Sequence, residues 1–545
     1  MKLVLDIETN YAHDTIWMAA TCDIETLETA VFTDAASLNA YIANADLIVG
    51  HNLIGFDIPV LRRVWQIHIP LDKVADTLVL SRLYNPSLDG GHSLKAWGLR
   101  IGEEEKGDFT DFDGGLTQEM IDYCIQDTIV NVTLYNHLNK LLDDDKFSEY
   151  SRKLEHVVAW YTQQQETNGF KLDFDMACNI SAEHTQRMQD IETQLQEVFP
   201  PIVTERVSEK TGKRLKDHVE EFNVGSRQQI AKRLETKGAV WKQKTEKGSI
   251  IVNEKTLAAL RHIPEAALIL EYLTLQKRLG MVTSWLNAYQ ADGRVHGRVN
   301  TCGAVTGRMT HSNPNMAQIP SESTYRQCWT VDEENVLVGI DASGLELRML
   351  AHYMKDDAYT YEILNGDVHT ANQTAAGLAT RDQAKTFIYA FLYGAGDAKI
   401  GSIVGGSSAA GRKLKDEFLA NTPALEKLKT KVATLAESGS LEGLDGRRVR
   451  VRSAHAALNT LLQSAGAIVM KQALVIATER LQQNGIPYRL VAQVHDEFQV
   501  ETPEQYGNAV GYTFRNAIRK AGDFFEMRCP LDGEFRAGTT WADTH

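Results

Sequence analysis

The pattern of apolar and polar positions divides the chain into three stretches. Over residues 1–140, short apolar runs such as LVL at 3–5 and DLIV at 46–49 alternate with helix-period segments, which predicts an α/β region. The run YCIQDTIVNVTLYNHLNKLL closes that region as a helix, and the acid-rich DDDKFSE at 143–149 reads as a linker. Residues 152–290 are mostly helix-period. Within them Ser226 and Gln229 have capping-box spacing, and Gly238 stands where a helix C-terminus takes a left-handed residue. IVTERVSEKTGKRLKD at 202–217 alternates and turns at Thr211-Gly212, which predicts a hairpin. From 297 onward strand-like runs return and flank a helical block from about 360 to 440.

A chain of 545 residues exceeds one core, so two to four domains are expected. With 43% hydrophobic and 24% charged residues it has the composition of a globular protein. No apolar run reads as a bilayer span and MKLVLDIETN lacks a signal-peptide layout, so no membrane partner is expected. Six scattered cysteines form no CxxC pair and predict free thiols. A net charge of −15 argues by itself against nucleic acid, but it is compatible with a local basic groove and with acidic clusters that hold metal ions. GSSAAGRKL lacks the Gly-Lys-Ser/Thr ending of a phosphate loop, which excludes an ATPase reading.

Acids then appear where apolar strands end. LVLDIETN places Asp6 and Glu8 two residues apart, on one face of a strand. DLIVGHNLIGFDIPVL supplies Asn52 and Asp57, and YCIQD places Tyr123 and Asp127 four apart on one helix face. Four carboxylates aimed at one spot repel each other unless cations lie between them. Hard divalent cations suit oxygen ligands, and two of them activate water against a phosphodiester, with Tyr123 placed to orient that water. Each acid taken singly reads better as a cap or a solvated strand end, and it is the joint pattern that shifts the weight to a metal site.

LVGIDASGLELRMLAH, residues 337–352, ends an apolar run at Asp341 and carries Glu346 and Arg348 into an apolar helix. YRLVAQVHDEFQVET puts Asp496 and Glu497 at an expected hairpin tip. If the two strands are neighbours, Asp341 and Asp496 meet and can hold two metals for phosphoryl transfer. Between them, TRDQAKTFIYAFLYGAG repeats Arg381, Lys385, Tyr389 and Tyr393 every four residues. The cationic end suits a triphosphate and the aromatic end a base or sugar. The plainer alternative is an amphipathic core helix with snorkelling cations. Gly394 and Gly396 end the helix.

DASGLELRMLAH, RDQAKTFIYAFLYGAG and QVHDE resemble motifs A, B and C of family A DNA polymerases, and TGRMTHSNPNMAQIP and HAALNTLLQSAGA are similar to two further blocks. The resemblance runs from 297 to the end and is nearest the T-seven-like podovirus branch. Upstream, DxE, Nx(4)D and YxxxD resemble the motifs of DEDDy 3′→5′ exonucleases. The resemblance implies an α/β multi-domain chain: an RNase H-like exonuclease over 1–150, then a right-hand polymerase over 151–545. Its thumb would be about 151–296, its fingers about 356–445, and its palm 297–355 with 446–545. It implies that Asp341, the Ala342 carbonyl and Asp496 bind two Mg²⁺ (Mn²⁺ also fitting), and that Asp6, Glu8, Asp57 and Asp127 do so in the exonuclease with Tyr123. It makes Glu497 an accessory acid and Glu346 a steric gate against the ribose 2′-OH. His369, Arg381 and Lys385 become triphosphate contacts, Lys385 also a general acid. Tyr389 falls beside the incoming sugar and Tyr393 at the template position. Arg308, Asn459, Gln463 and His495 fall along the minor groove of the nascent pair, where acceptors are nearly independent of sequence.

The implied partners are primer–template DNA, deoxynucleoside triphosphates, a phage helicase–primase and a single-strand binding protein, in the cytoplasm of a bacterial host. The stretch from about Pro200 to Phe222 is short where some T-seven-like members carry a thioredoxin-recruiting insertion, which speaks against thioredoxin. Two competing readings are a single-subunit RNA polymerase and a non-catalytic DNA-binding scaffold. Glu346 and the exonuclease motifs oppose the first, and the full set of acids opposes the second.

Overall fold

Near-continuous burial along KLVLDIET and IWMAATCD makes the first two strands, Lys2–Thr9 and Ile16–Asp23, the interior of a sheet covered on both faces. The computed structural model describes residues 1–103, 109–207, 210, 212–245 and 247–545. The five-stranded sheet runs in the order Thr29–Phe32, Ile16–Asp23, Lys2–Thr9, Leu47–Gly50, Val74–Asp76. The first three strands are antiparallel, and the last two join parallel. Leu3, Leu5, Ile7 and Ile48 pack on one side with Leu53, Ile58 and Leu61. Val4 and Val49 pack on the other against Val132, from the 27-residue helix Gln118–Asp144.

The expected linker at 143–149 is a tight corner. That helix runs to Asp144 and the helix Glu149–Asn168 starts just beyond. Phe147 is buried between them. Ser148 accepts the Ser151 N–H as N-cap, donates its hydroxyl to the Asp445 carbonyl, and donates its N–H to the Gly446 carbonyl at 3.1 Å. Acids read as solvated spacers are thus the last helical turn and its cap.

Helix Glu149–Asn168 packs on the helix Ala457–Gln483 around buried charges. Glu155 meets Lys471 Nζ at 2.5 Å and Arg447 Nη1 at 2.6 Å, and Arg447 Nη2 lies 2.6 Å from Asp445. All four side chains are 3% exposed or less. Burial acts to raise the Glu155 carboxyl, but Lys471 and Arg447 outweigh it and hold the group below its ordinary range. Removing one partner strands the rest, so Lys471→Met is expected to cost about 3 kcal/mol. Urea unfolding checks this; an unchanged midpoint would show the network to be dispensable.

The C-terminal half is built on a four-stranded antiparallel sheet, ordered Arg489–Val494, Glu497–Pro503, Asn335–Ala342, Gly533–Gly538. Helix Gly507–Phe524 packs Phe514 and Ile518 against it, in one core with Ile468 and Leu474 of Ala457–Gln483. Ala457–Gln483 corrects the expectation that nothing reaches bilayer length. It lies within the one helix that is long and apolar enough among the described residues, and 83% of the apolar window is buried inside the protein. A helix apolar all round is here a core element. Six helices between Asp357 and Leu435 make up the expected helical block.

Residues 171–296 and 322–330 form a second compact unit; 1–170, 297–321 and 331–545 form the first. Helix Glu149–Asn168, assigned from 151 to the thumb, therefore packs in the first unit. In the second unit, helices Phe174–Val198 and Pro264–Ala288 are joined by Arg187 Nε to Glu271 at 2.7 Å. The expected hairpin is present as antiparallel strands Ile202–Val207 and Arg214–Glu220; of its turn, Thr211 lies outside the described residues. Gly238 (φ +89°) ends the helix Arg227–Glu235, with Ala239 N–H on the Leu234 carbonyl at 3.0 Å. The capping box is only half made. Ser226 accepts the Gln229 N–H, but Gln229 Oε1 accepts from Asn223 N at 2.6 Å. All six cysteines are free.

Candidate active sites

Asp341 is the penultimate residue of the strand Asn335–Ala342, beyond which the chain turns at once into the helix Leu345–Met354. Gly344, at φ +58°, takes the left-handed step of that turn, which a side chain would strain. Ala342 N–H donates to the Asp496 carbonyl and Ser343 N–H to the Asp532 carbonyl, both at 3.0 Å. Asp341 pairs in register with Glu497 on one side and Glu534 on the other. His495 and Asp496 form a two-residue turn with His495 at φ +57°. Two strand ends distant in sequence therefore meet through one backbone hydrogen bond.

Glu497 corrects the hairpin-tip expectation. It is the first residue of the strand Glu497–Pro503, is buried, and accepts Trp541 Nε1–H at 2.6 Å. Desolvation, with Asp496, Glu497, Glu534 and Glu346 nearby, pushes the Asp341 carboxyl up to about 7. Burial first, then Glu346, raises Asp496. Glu534 was missed in the sequence. The only signal was an acid in a short strand after Gly533, which says nothing of its neighbour.

Glu346 lies in the first turn of its helix and accepts the Tyr393 hydroxyl at 2.6 Å and Arg308 Nη2 at 3.3 Å. Desolvation and then Glu346 raise the Tyr393 hydroxyl above its ordinary range. Arg381, Lys385 and Tyr389 share the helix Arg381–Leu392, and Tyr393 caps it. Its buried face is Phe387, Ile388 and Phe391, so the stripe is the helix's open side. Arg381 forks onto Asp367 at 2.6 and 3.2 Å, while Lys385 makes no ion pair or hydrogen bond among the described residues. The His369 ring lies 6.1 Å from Tyr389, and burial lowers its pKa. Arg308 and His495 line one small cavity with Gln493 and Lys471. Asn459 and Gln463 are half-buried, one turn apart on Ala457–Gln483. Arg348, singled out beside Glu346, is anchored on the Pro530 carbonyl.

At the N-terminal sheet, Asp57 begins the helix Asp57–Val60, and its Oδ1 accepts the N–H of Ile7, between Asp6 and Glu8, at 3.2 Å. Asn52 is left-handed (φ +63°) and its N–H donates to Asp76 at 3.0 Å. Asp127 is buried on Gln118–Asp144, and Tyr123 on the same helix lies 6.0 Å from the Phe109 ring. Desolvation, then Asp6 and Asp127, push Glu8 up to about 9; desolvation and Asp6 raise Asp57 well above its range. Cys124, also missed, puts its thiol 3.4 Å from Asp6 Oδ2, and Asp6, Glu8 and Cys124 offer ligand atoms within 4.8 Å of one another. Its signal was available, since it is the residue after Tyr123.

An antiparallel sheet with acids gathered at one end, faced by a helix carrying free and tethered cations, is the arrangement of a nucleotidyltransferase. The sequence pattern of DNA polymerase family A matches residues 194–543. The DNA-directed DNA polymerase of Escherichia phage T7 is 36% identical, over 93% of this chain and 94% of its own. DNA polymerase I of Aquifex aeolicus is 25% identical, over 91% and 88%. The solved POL domain of Pol1 from M. smegmatis, in complex with DNA primer-template and dNTP, shares the fold at TM-score 0.83 with 19% identity, covering 100% of this chain and 96% of that one. The chain belongs to the family A DNA-directed DNA polymerases.

Proposed function

We propose that this polymerase is a replicative enzyme with two active sites, one extending a primer 3′-OH and one removing misincorporated nucleotides 3′→5′. The observation that carries the first is the Ala342–Asp496 backbone bond, which fastens the ends of two acid-bearing strands together. The donors there are carboxylates and a carbonyl, the oxygen set that hard divalent cations take. Asp341, the Ala342 carbonyl and Asp496 would hold two Mg²⁺, or Mn²⁺, which when bound activate the primer hydroxyl and neutralise the triphosphate. Lys385 is free to approach the triphosphate and to give a proton to departing pyrophosphate, with Arg381 and His369 beside it. Tyr389 and Tyr393 present rings to the incoming sugar and the template base. Arg308, Asn459, Gln463 and His495 face the minor groove of the new pair, and the buried Glu497 acts as accessory acid. Extension of a primed template with Mg²⁺ and four deoxynucleotides, beside degradation of a single strand, tests both activities.

The tether from Tyr393 and Arg308 holds the Glu346 side chain in one place, as a steric gate requires. Glu346→Ala is expected to raise ribonucleotide incorporation relative to deoxynucleotide by at least about tenfold, or roughly 1.4 kcal/mol. Steady-state kinetics with matched nucleotide pairs measure it, and unchanged selectivity removes the gate assignment.

Several features support an RNase H-like exonuclease over 1–150: the 3-2-1-4-5 strand order, the backbone bond from Ile7 to Asp57, and carboxyls raised by burial and then by neighbouring acids. Asp6, Glu8, Asp57 and Asp127 would hold divalent cations there, with Tyr123 orienting the attacking water. In the polymerase, residues 171–296 of the second compact unit serve as thumb, 356–445 as fingers, and 297–355 with 446–545 as palm.

The partners in this reading are primer–template DNA, deoxynucleotides, a phage helicase–primase and single-strand binding protein, in the cytoplasm of a bacterial host. The alignment with the T7 phage protein spans 664 positions against 545 residues here, so that relative has segments absent from this chain. The described residues of 200–222 hold a short hairpin, which supports processivity without thioredoxin. Thioredoxin is expected to leave product length within about twofold in primer extension on long single-stranded templates; a gain of tenfold or more contradicts this.

A further inference from the structure

We propose that His156, on the helix Glu149–Asn168, is a positioning residue for the N-terminal site: it fixes the strand end at Asp76 and Thr77, which in turn holds the segments carrying Asp57 and Asp127. This rests on the exonuclease reading and names the part of the chain that keeps its acids in register.

Asp76 ends the strand Val74–Asp76 and is buried. Its carboxylate joins separate segments. Oδ1 accepts the N–H groups of Asn52 at 3.0 Å and Leu78 at 2.9 Å, and Oδ2 accepts that of Ile54 at 2.9 Å. Asn52 and Ile54 belong to the turn that leads into the helix starting at Asp57, with Asn52 at φ +63°. Thr77, also buried, donates its hydroxyl to Asn131 Oδ1 at 2.8 Å, one helical turn beyond Asp127. Two consecutive residues therefore hold both the segment that ends at Asp57 and the helix that carries Asp127.

What fixes this strand end lies outside the sheet. Asp76 N–H donates to His156 Nε2 at 2.8 Å. A backbone N–H only donates, so Nε2 bears the lone pair and the ring proton is on Nδ1, which donates to the Arg152 carbonyl at 2.7 Å. The buried ring uses both nitrogens and is held in one orientation. Its neighbour Glu155 leaves the helix about 100° around the axis. There Lys471 Nζ at 2.5 Å and Arg447 Nη1 at 2.6 Å hold it. The helix is thus anchored to Ala457–Gln483 independently of the N-terminal sheet, and His156 offers the strand end a fixed acceptor. All of these residues lie in one compact unit. Were His156 merely core filling, Leu would serve in its place and the polar Gln would cost more. A positioning role predicts the reverse order.

The test uses the full chain. His156→Leu removes the acceptor, and His156→Gln puts an amide oxygen in its place. Asp76→Asn opens no cavity and replaces one accepting oxygen by a donor. In chelator, amide exchange over residues 50–58, read by mass spectrometry, is expected to speed at least about tenfold in His156→Leu and Asp76→Asn, and by no more than about threefold in His156→Gln. With Mg²⁺, kcat for degradation of an oligodeoxythymidylate is expected to fall about tenfold in His156→Leu and Asp76→Asn with KM within about twofold, the loss usual when groups that orient metal ligands are removed. His156→Gln should keep kcat within about threefold of the parent, and primer extension should stay within about twofold in all three. Unchanged exchange and degradation in His156→Leu and Asp76→Asn would overturn the proposal. So would equal losses in the Leu and Gln proteins, or extension falling in step with degradation. Failure of the exonuclease reading looks different: degradation would persist in the Asp6→Ala, Glu8→Ala chain with His156 and Asp76 intact.

Discussion

Replacing Asp341 or Asp496 by Asn is expected to lower primer extension by about three orders of magnitude or more, equivalent to roughly 4 kcal/mol of transition-state stabilisation. The reason is electrostatic. Asp341 lies between Glu497 and Glu534 in register and below Glu346, so the strand end is a concentration of negative charge that bare protein holds poorly. Asn keeps the shape of the side chain and removes the charge that divalent cations require. The metal-free Asp341→Asn protein should therefore be at least as stable as the parent, since a repelling carboxylate is gone. Single-turnover extension and a thermal melt in chelator check both halves. Extension within tenfold of the parent would show that the palm acids are misassigned. Lower stability together with lost extension would point to a damaged fold.

The double change Asp6→Ala, Glu8→Ala is expected to reduce single-strand degradation to below about one-thousandth while primer extension stays within about twofold. Burial and neighbouring acids put the Glu8 carboxyl at about 9, so in metal-free protein it is uncharged at neutral pH, and a cation bound there in the proposed role would have to displace its proton. The two acids stand on the N-terminal sheet and the proposed extension site on a separate one, which predicts separable activities. Loss of both in the variant would indicate misfolding instead.

Much of the site was legible because it is local. Strands carry acids within LVLDIETN and at the end of LVGIDASG, and a four-residue stripe carries Arg381 to Tyr393; both are spacings of two or four that neighbouring residues alone produce. Glu497 was misplaced because hairpin boundaries move by a residue and each step flips the side chain to the other face. The corner at 145–148 looked like a linker because acid-rich composition resembles solvated spacer. What holds it is Asp445 and Gly446, some 300 residues away. Glu534 and the Glu155–Lys471–Arg447 network carried no local pattern strong enough to place them.

The sequence by itself determined the acid positions, the helical stripe and, through the order of its motifs, the family. It did so because backbone periodicity ties residue spacing to one face of a strand or helix. Only the tertiary structure decided which acids meet. The strand Glu497–Pro503 lies between Arg489–Val494 and Asn335–Ala342, and that pairing brings Asp496 to Ala342 and sets Glu534 opposite Asp341. Pairing of strands distant in the chain depends on the shared core beneath them, formed with the helices Gly507–Phe524 and Ala457–Gln483, and no short stretch of sequence contains it.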